Sequence, residues 1–319
     1  MLMDSFIYSL NATVPIFAIM VLGRFYKEIG LIDDHFASIA NKFVFKACLP
    51  CMLFLDLADT DIRHNFDLKY VGFCFAVTLI SILGTWFLTR HLMRSKESVG
   101  AFVQGAYRSS AAILGIAFIQ NIYGTSGMAP LMIIGSVPLY NIFAVIVLTL
   151  ESSDAQTSQD RSQIKKAFVN ILKNPIIIGI VLGLLASLVN LKLPQMMDKT
   201  IHNLAVMTSP LALIAIGVSF EGKKALAKIK PTAIASALKL CGWVILFMPL
   251  AIWLGFRDQK LIAILIMLAS PCTPTSYIMA KNMDGDSVLA SSIVVTTTLF
   301  SSVTLTFWIF LLRSFGLIQ

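Results

Sequence analysis

Four basic residues interrupt long apolar runs: Lys42, Lys46, Arg108 and Lys239. No acidic residue lies comparably deep, and Asp56 and Glu221 fall at the ends of their runs. A charge inside a bilayer costs about 2.5–3.5 kcal/mol on insertion scales and marks function by default. Buried cations without buried acids favour an anionic ligand; a cation or proton antiporter would normally present a buried carboxylate. Long basic side chains can reach an interface from several residues inside, and snorkelling of this kind accounts for Lys42, Lys46 and Lys239. Arg108 lies too deep for it. It opens the stretch Arg108-Ser109-Ser110-Ala111-Ala112-Ile113-Leu114-Gly115, and a second polar stretch is Ala269-Ser270-Pro271-Cys272-Thr273-Pro274-Thr275-Ser276-Tyr277. Two prolines remove amides and clash with the preceding turn, so the second stretch must break its helix. Small residues and Gly115 do the same in the first. Hydroxyls and freed backbone groups at membrane depth are stabilised only by a cavity or a ligand, and a helix N-terminus suits a carboxylate.

Other chemistry is thinly represented. Cys48 and Cys51 have CxxC spacing, but no further ligand lies near them in sequence to complete a metal site. With Cys74, Cys241 and Cys272 they read as small apolar fillers. His35, His64, His91 and His202 lie near the ends of apolar runs, and no GxSxG, HExxH or phosphate loop occurs. No enzymatic activity, cofactor or metal is expected.

The elements that position these residues follow from composition. Of 319 residues, 57% are hydrophobic and 13% charged, against about 25% charged in a soluble domain. That excludes a water-soluble enzyme, a nucleic-acid-binding domain and a disordered chain, and the net charge of +8 therefore does not point to a polyanion. A span needs about 20 apolar residues, and ten runs qualify: 5–24, 36–56, 68–92, 98–121, 127–150, 174–191, 198–220, 231–255, 260–281 and 287–312. The N-terminus has no basic residue before the first run, so it reads as a span and not as a cleaved signal. Residues 151–173, rich in Ser, Gln, Asp and Lys, read as a cytoplasmic connector between units at 1–150 and 174–319. Loops after the odd-numbered runs carry fourteen Lys and Arg and the opposite loops seven. This bias places both termini outside the cytoplasm.

The two units repeat. At an offset of 160, Pro15 falls on Pro175, Gly23 on Gly183 and Pro50 on Pro210; at 161, Asn121 falls on Asn282, Gly124 on Gly285 and Ser126 on Ser287. Five spans per unit is an odd number, so the second unit enters the membrane from the other side. Such inverted repeats signal a secondary transporter whose site lies at the midplane on discontinuous helices. The expected fold is an all-α membrane protein: ten transmembrane helices in a 5+5 inverted repeat with crossed broken helices, like the sodium–proton antiporters and bile-acid symporters.

At these residues the chain resembles the auxin efflux carrier family, whose bacterial members include malate permease-like proteins. Ser209-Pro210-Leu211-Ala212 through Gly217 is similar to a Pro-x-Ala…Gly stretch in the seventh span, and Val137-Pro138-Leu139-Tyr140-Asn141 to a Pro-x-x-Asn segment in the fifth. Arg108–Ala117 and Pro271–Thr275 resemble the two crossovers, although the family's first crossover often carries Asn or Pro where this chain has Ser and Ala. The resemblance implies a carrier of small organic anions. A bundle of spans 3–5 and 8–10 would move against a scaffold of spans 1, 2, 6 and 7.

The expected substrate-binding residues are Arg108, Ser109, Ser110, Gly115, Asn121, Asn141, Pro271, Thr273, Thr275, Ser276 and Asn282. The expected cargo is an auxin-like acid or a dicarboxylate, carried in a plasma or bacterial inner membrane. Coupling to H+ or Na+ and a homodimer remain open. The alternative is a sodium-coupled organic-anion symporter of the bile-acid type, with carbonyls and hydroxyls as sodium ligands. A sensor or assembly scaffold would call for long tails or extra domains, which this sequence does not contain.

Overall fold

A computed structural model describes residues 2–58, 67–93, 95, 97–111, 119, 128–151, 169 and 171–318, with side chains from Val14 onward. Helices α1 (Leu2–Glu28), α2 (Asp34–Ala58), α3 (Leu68–Leu92), α4 (Glu97–Tyr107) and α5 (Ala129–Leu150) are followed by α6 (Pro175–Leu188), α7 (Gln195–Ser219) and α8 (Ile229–Trp253). Two pieces, α9a (Asp258–Ala269) and α9b (Thr275–Asn282), precede α10 (Ser287–Ser314). No strand occurs among the described residues. Six of these helices, α2, α3, α5, α7, α8 and α10, are long and apolar enough to cross a bilayer. Most of the expected connector, residues 152–168 and 170, lies outside the described residues.

Helix boundaries follow local chemistry. Asp33, Asp67, Asn174 and Asp286 accept from the backbone amides of Phe36, Tyr70, Ile176 and Leu289 at 2.7–3.0 Å, capping α2, α3, α6 and α10. Gly30 and Gly255 take positive φ (75° and 87°) just past α1 and α8, where a side chain would be strained. Pro50 and Pro210 explain two matching irregularities. A proline ring clashes with the carbonyl four residues earlier, here Lys46 and Val206. In α2 the chain widens into a π turn over Val44–Cys48, and in α7 the helix is interrupted at Met207.

Pairing of the helices shows the same correspondence. Helix α1 packs on α7 and α2 on α6, while α3 packs on α5 and α8 on α10. Lipid gives apolar helices no reason to leave it, so close contact through small residues decides such pairings. A Cβ on Gly23 would stand 2.5 Å from the Ile214 carbonyl oxygen, and one on Gly183 would stand 2.7 Å from that of Phe54. Both partners of the first contact are 160 positions from those of the second.

Two apolar cores result. One is built mainly from α3, α5, α8 and α9a, the other from α1, α2, α6, α7 and α9b. Helix α4 contributes to both, with Val99, Val103 and Tyr107 on one side and Ala101, Phe102 and Ala106 on the other. Every residue from Ser98 to Tyr107, and from Leu261 to Ala269, is buried. Helices α4 and α9a are thus enclosed by protein, the only setting in which irregular backbone survives at membrane depth.

Candidate functional site

The second polar stretch interrupts its helix as its prolines require: α9a ends at Ala269 and α9b begins at Thr275. Helix α4 ends at Tyr107 without a proline, and Arg108, Ser109 and Ser110 follow in non-helical backbone. Tertiary contacts hold that end open. The Ser110 amide donates to the Pro271 carbonyl at 3.0 Å, and the Ser109 hydroxyl donates to the Met267 carbonyl. The end of α4 therefore meets the break between α9a and α9b.

Arg108 sits at this meeting point, 3% exposed. Its Nη1 donates to Gln104 Oε1 at 3.1 Å and to Met279 Sδ at 2.7 Å, and Nη2 donates to Asn141 Oδ1 at 2.5 Å. None of these partners carries a charge. The Asn141 amide is held by the Val137 carbonyl at 2.9 Å, one turn back along α5. This fixes which atom Asn141 presents to the arginine. Tyr140 reaches across to the Met267 carbonyl at 3.3 Å, and Tyr107 donates to the Tyr140 carbonyl at 3.2 Å.

A partly open cleft lies against this cluster. Arg108, Ser109, Ser110, Asn141, Thr273 and Thr275 line it, together with Met52, Leu53 and Asp56 of α2 and with Ala111, Val137 and Tyr140. Thr273 and Thr275 share a hydrogen bond at 3.1 Å. Ser276 is turned to the Thr273 carbonyl and the Cys272 thiol and is not among the lining residues. Asn282, at the far end of α9b, donates to the Asn41 carbonyl at 3.3 Å and ties α9b to α2. Gly115 and Asn121 lie outside the described residues. Gln104 Nε2 and Ser270 Oγ, both buried, have no hydrogen-bond partner among the described residues. Among the described residues, no group of three His, Cys, Asp or Glu converges as metal ligands would.

Three features escaped the sequence. Asp56 lines the cleft with Arg108, so the site is not wholly cationic; its position near the end of α2 concealed this. Tyr140 was hidden beside the more conspicuous Asn141. Lys239 does not snorkel: it is 0% exposed and its Nζ donates to the Leu268 carbonyl at 2.5 Å. Lys42 and Lys46 are exposed.

Two ion pairs fasten helix ends around the cleft. Lys228 pairs with Asp286 at 2.8 Å, and Ser98 donates to the same carboxylate at 2.6 Å. Lys260 pairs with Asp67 at 2.7 Å. Burial pushes the Asp286 carboxyl up, but Lys228, Ser98 and the Leu289 amide outweigh it and hold it below the usual carboxylate range. Hydrogen bonds from Lys260 and the Tyr70 amide do the same for Asp67.

A family model described as "Membrane transport protein" matches residues 8–309, nearly the whole chain. The chain belongs to this family, that of the auxin efflux carriers. Relatives within it are remote. "Uncharacterized transporter MJ1031" of Methanocaldococcus jannaschii is 22% identical over 311 residues, covering 94% of this chain and 97% of its own. An "Uncharacterized transporter" of Methanothermobacter thermautotrophicus is 21% identical over 308 residues, covering 95% and 98%. "Uncharacterized transporter YfdV" of Escherichia coli is 25% identical over 218 residues, covering 66% and 68%. Membership in this carrier family, together with six apolar membrane-length helices, makes the chain an integral membrane protein of a transporter family.

Proposed function

We propose that the protein is a secondary carrier of small organic anions, auxin-like acids or dicarboxylates, working by elevator-type alternating access. The observation that carries this reading is Arg108: a guanidinium buried where the end of α4 meets the break in α9, lining a cleft, with neutral hydrogen-bond partners among the described residues. A cation in a low-dielectric site attracts an anion far more strongly than one in water, and a guanidinium presents its donors in a fork that matches a carboxylate. Ser109, Ser110, Thr273 and Thr275 supply hydroxyls beside it. Met52, Leu53 and Val137 supply an apolar wall. In this reading Arg108, Ser109, Ser110, Asn141, Pro271, Thr273 and Thr275 form the substrate site, Ser276 and Asn282 brace it, and Gly115 and Asn121 complete the first crossover.

The reading extends to the architecture. The correspondence of Gly23·Ile214 with Gly183·Phe54, and of the irregularities before Pro50 and Pro210, supports ten spans in a 5+5 inverted repeat. The helices α1, α2, α6 and α7 would be the scaffold and the rest the moving bundle, in a plasma or bacterial inner membrane with both termini outside. Asp56 gives the cleft a protonatable group, which favours H+ over Na+ as a coupling ion. Formation of a homodimer is part of the same reading.

Uptake of labelled malate and indole-3-acetate into proteoliposomes tests it. Wild-type protein is expected to accumulate at least one of them above empty liposomes, and Arg108→Ala to lose that uptake. Equal uptake by the variant would remove Arg108 from the site.

A further inference from the structure

Helices α4 and α9a both end inside the protein, and one face of α8 reaches carbonyls at both ends. A helix C-terminus leaves up to four carbonyls without intrahelical donors and carries a partial negative charge of about half an electron. At membrane depth, water does not answer it. At the end of α9a, Ile266 accepts from the Ser270 amide at 3.0 Å. Met267 accepts from the Ser109 and Tyr140 hydroxyls, and Leu268 accepts from Lys239. At the end of α4, Gln104 accepts from the Arg108 amide at 2.9 Å and Ala106 from Trp243 Nε1 at 2.8 Å.

Lys239 and Trp243 are four residues apart on α8 and so share a face. Lys239 lies in the π turn Leu238–Gly242, a local widening that often accompanies function. The first unit has Thr78 at the 161-residue offset and Leu79 at the 160-residue offset, neither of them charged. The two units thus differ at this point: among the described residues, the second brings an ammonium to a half-helix end. In carriers with discontinuous helices, half-helix C-termini and unwound carbonyls are where a coupling cation is coordinated. Here a side chain of the protein delivers the positive charge to such a carbonyl, and intramembrane basic residues are stabilised by pairing with carbonyls in this way.

We propose that Lys239 is a tethered cation that takes the role of a free sodium ion at the end of α9a, so that the crossing is neutralised by the chain itself and the protein needs no sodium. The consequence for transport rests on the carrier reading; the charge argument rests on the fold alone. Lys239 is accordingly a positioning residue, acting on the substrate site through α9a.

The test compares the thermal midpoint of the full-length protein in detergent in sodium chloride and in choline chloride at equal ionic strength, and measures 22Na+ retention by scintillation proximity. Wild-type protein is expected to melt at the same temperature in both salts and to retain no 22Na+. Lys239→Ala is expected to melt lower in choline and to rise by about 3 °C or more in sodium, as a newly opened cation site requires. Lys239→Gln keeps a donor for the Leu268 carbonyl without the charge and serves if the alanine variant fails to fold; it is expected to respond to sodium in the same sense. Sodium binding by wild type would overturn the proposal. So would variants that melt lower but ignore sodium, since Lys239 would then be structural only. None of these readings depends on transport, so a failure of the carrier reading would appear separately, as absent uptake.

Discussion

The Ser110 amide and the Pro271 carbonyl are joined across 3.0 Å, so the non-helical backbone after α4 and the break between α9a and α9b share a hydrogen bond. Each interruption satisfies part of the other. Arg108 is held beside this joint by neutral hydrogen-bond acceptors and lines a cleft that Asp56 also lines. The predictions below test that arrangement from different sides.

Arg108→Lys keeps the charge but loses the fork and the contacts to both Gln104 and Asn141, so the two residue types are not interchangeable here. Hydrogen bonds to charged groups contribute about 1.5–3 kcal/mol. Affinity for the carried anion should therefore fall by about tenfold to a hundredfold in Arg108→Lys, read by titration of the purified protein.

Asn141→Asp is the sharper variant. It places a carboxylate where Asn141 Oδ1 now accepts from Arg108 at 2.5 Å, neutralising the guanidinium from within. Anion affinity should drop at least about tenfold, while the thermal midpoint should hold or rise. A variant that binds as tightly as wild type would show that the free charge of Arg108 is not what the anion meets.

Packing between the two units can be tested without any ligand. Gly23→Ala and Gly183→Ala force a methyl against backbone oxygens at 2.5 and 2.7 Å, and overpacking of this kind costs about 1–3 kcal/mol. Each should lower the thermal midpoint. Gly72→Ala in α3, where an added Cβ meets nothing within 4 Å, is the control; it should leave the midpoint unchanged or slightly raised.

Acid should loosen the bundle at its two fastenings. Asp286 and Asp67 are held below the usual carboxylate value of 3.8 in the folded chain. A carboxyl depressed on folding contributes stability that is complete above its unfolded value and disappears as pH falls through its folded one. The midpoint should therefore decline below about pH 4, and Asp286→Asn should flatten the part of that decline due to this residue. A midpoint-against-pH profile of both proteins decides it.

Much of this was legible in the residues themselves. Hydropathy located the long helices, and two prolines within four residues marked the break in α9. Its companion was fainter, because the chain leaves helix at Arg108 through contacts with Met267 and Pro271 and not through any local breaker. Repeat spacing put Gly23 in register with Gly183, but the carbonyls that need them to be glycine belong to helices far away in sequence. Lys239 shows the limit most clearly. A lysine in an apolar run reads as a side chain stretching for an interface, and only the fold reveals a half-helix end that draws it inward. Asp56 was seen near a helix end and yet shares the cleft with Arg108, since α2 lies alongside the crossing.

The central claim is that an anion is carried at the Arg108 crossing, and charge movement tests it most directly. Currents from proteoliposomes on a solid-supported membrane would be recorded on concentration jumps of malate, indole-3-acetate and choline. Transient currents of the sign of moving anions are predicted for at least one carboxylate with wild-type protein, none with Arg108→Gln, and none for choline in either. Undiminished carboxylate currents in Arg108→Gln, or currents for choline alone, would contradict it.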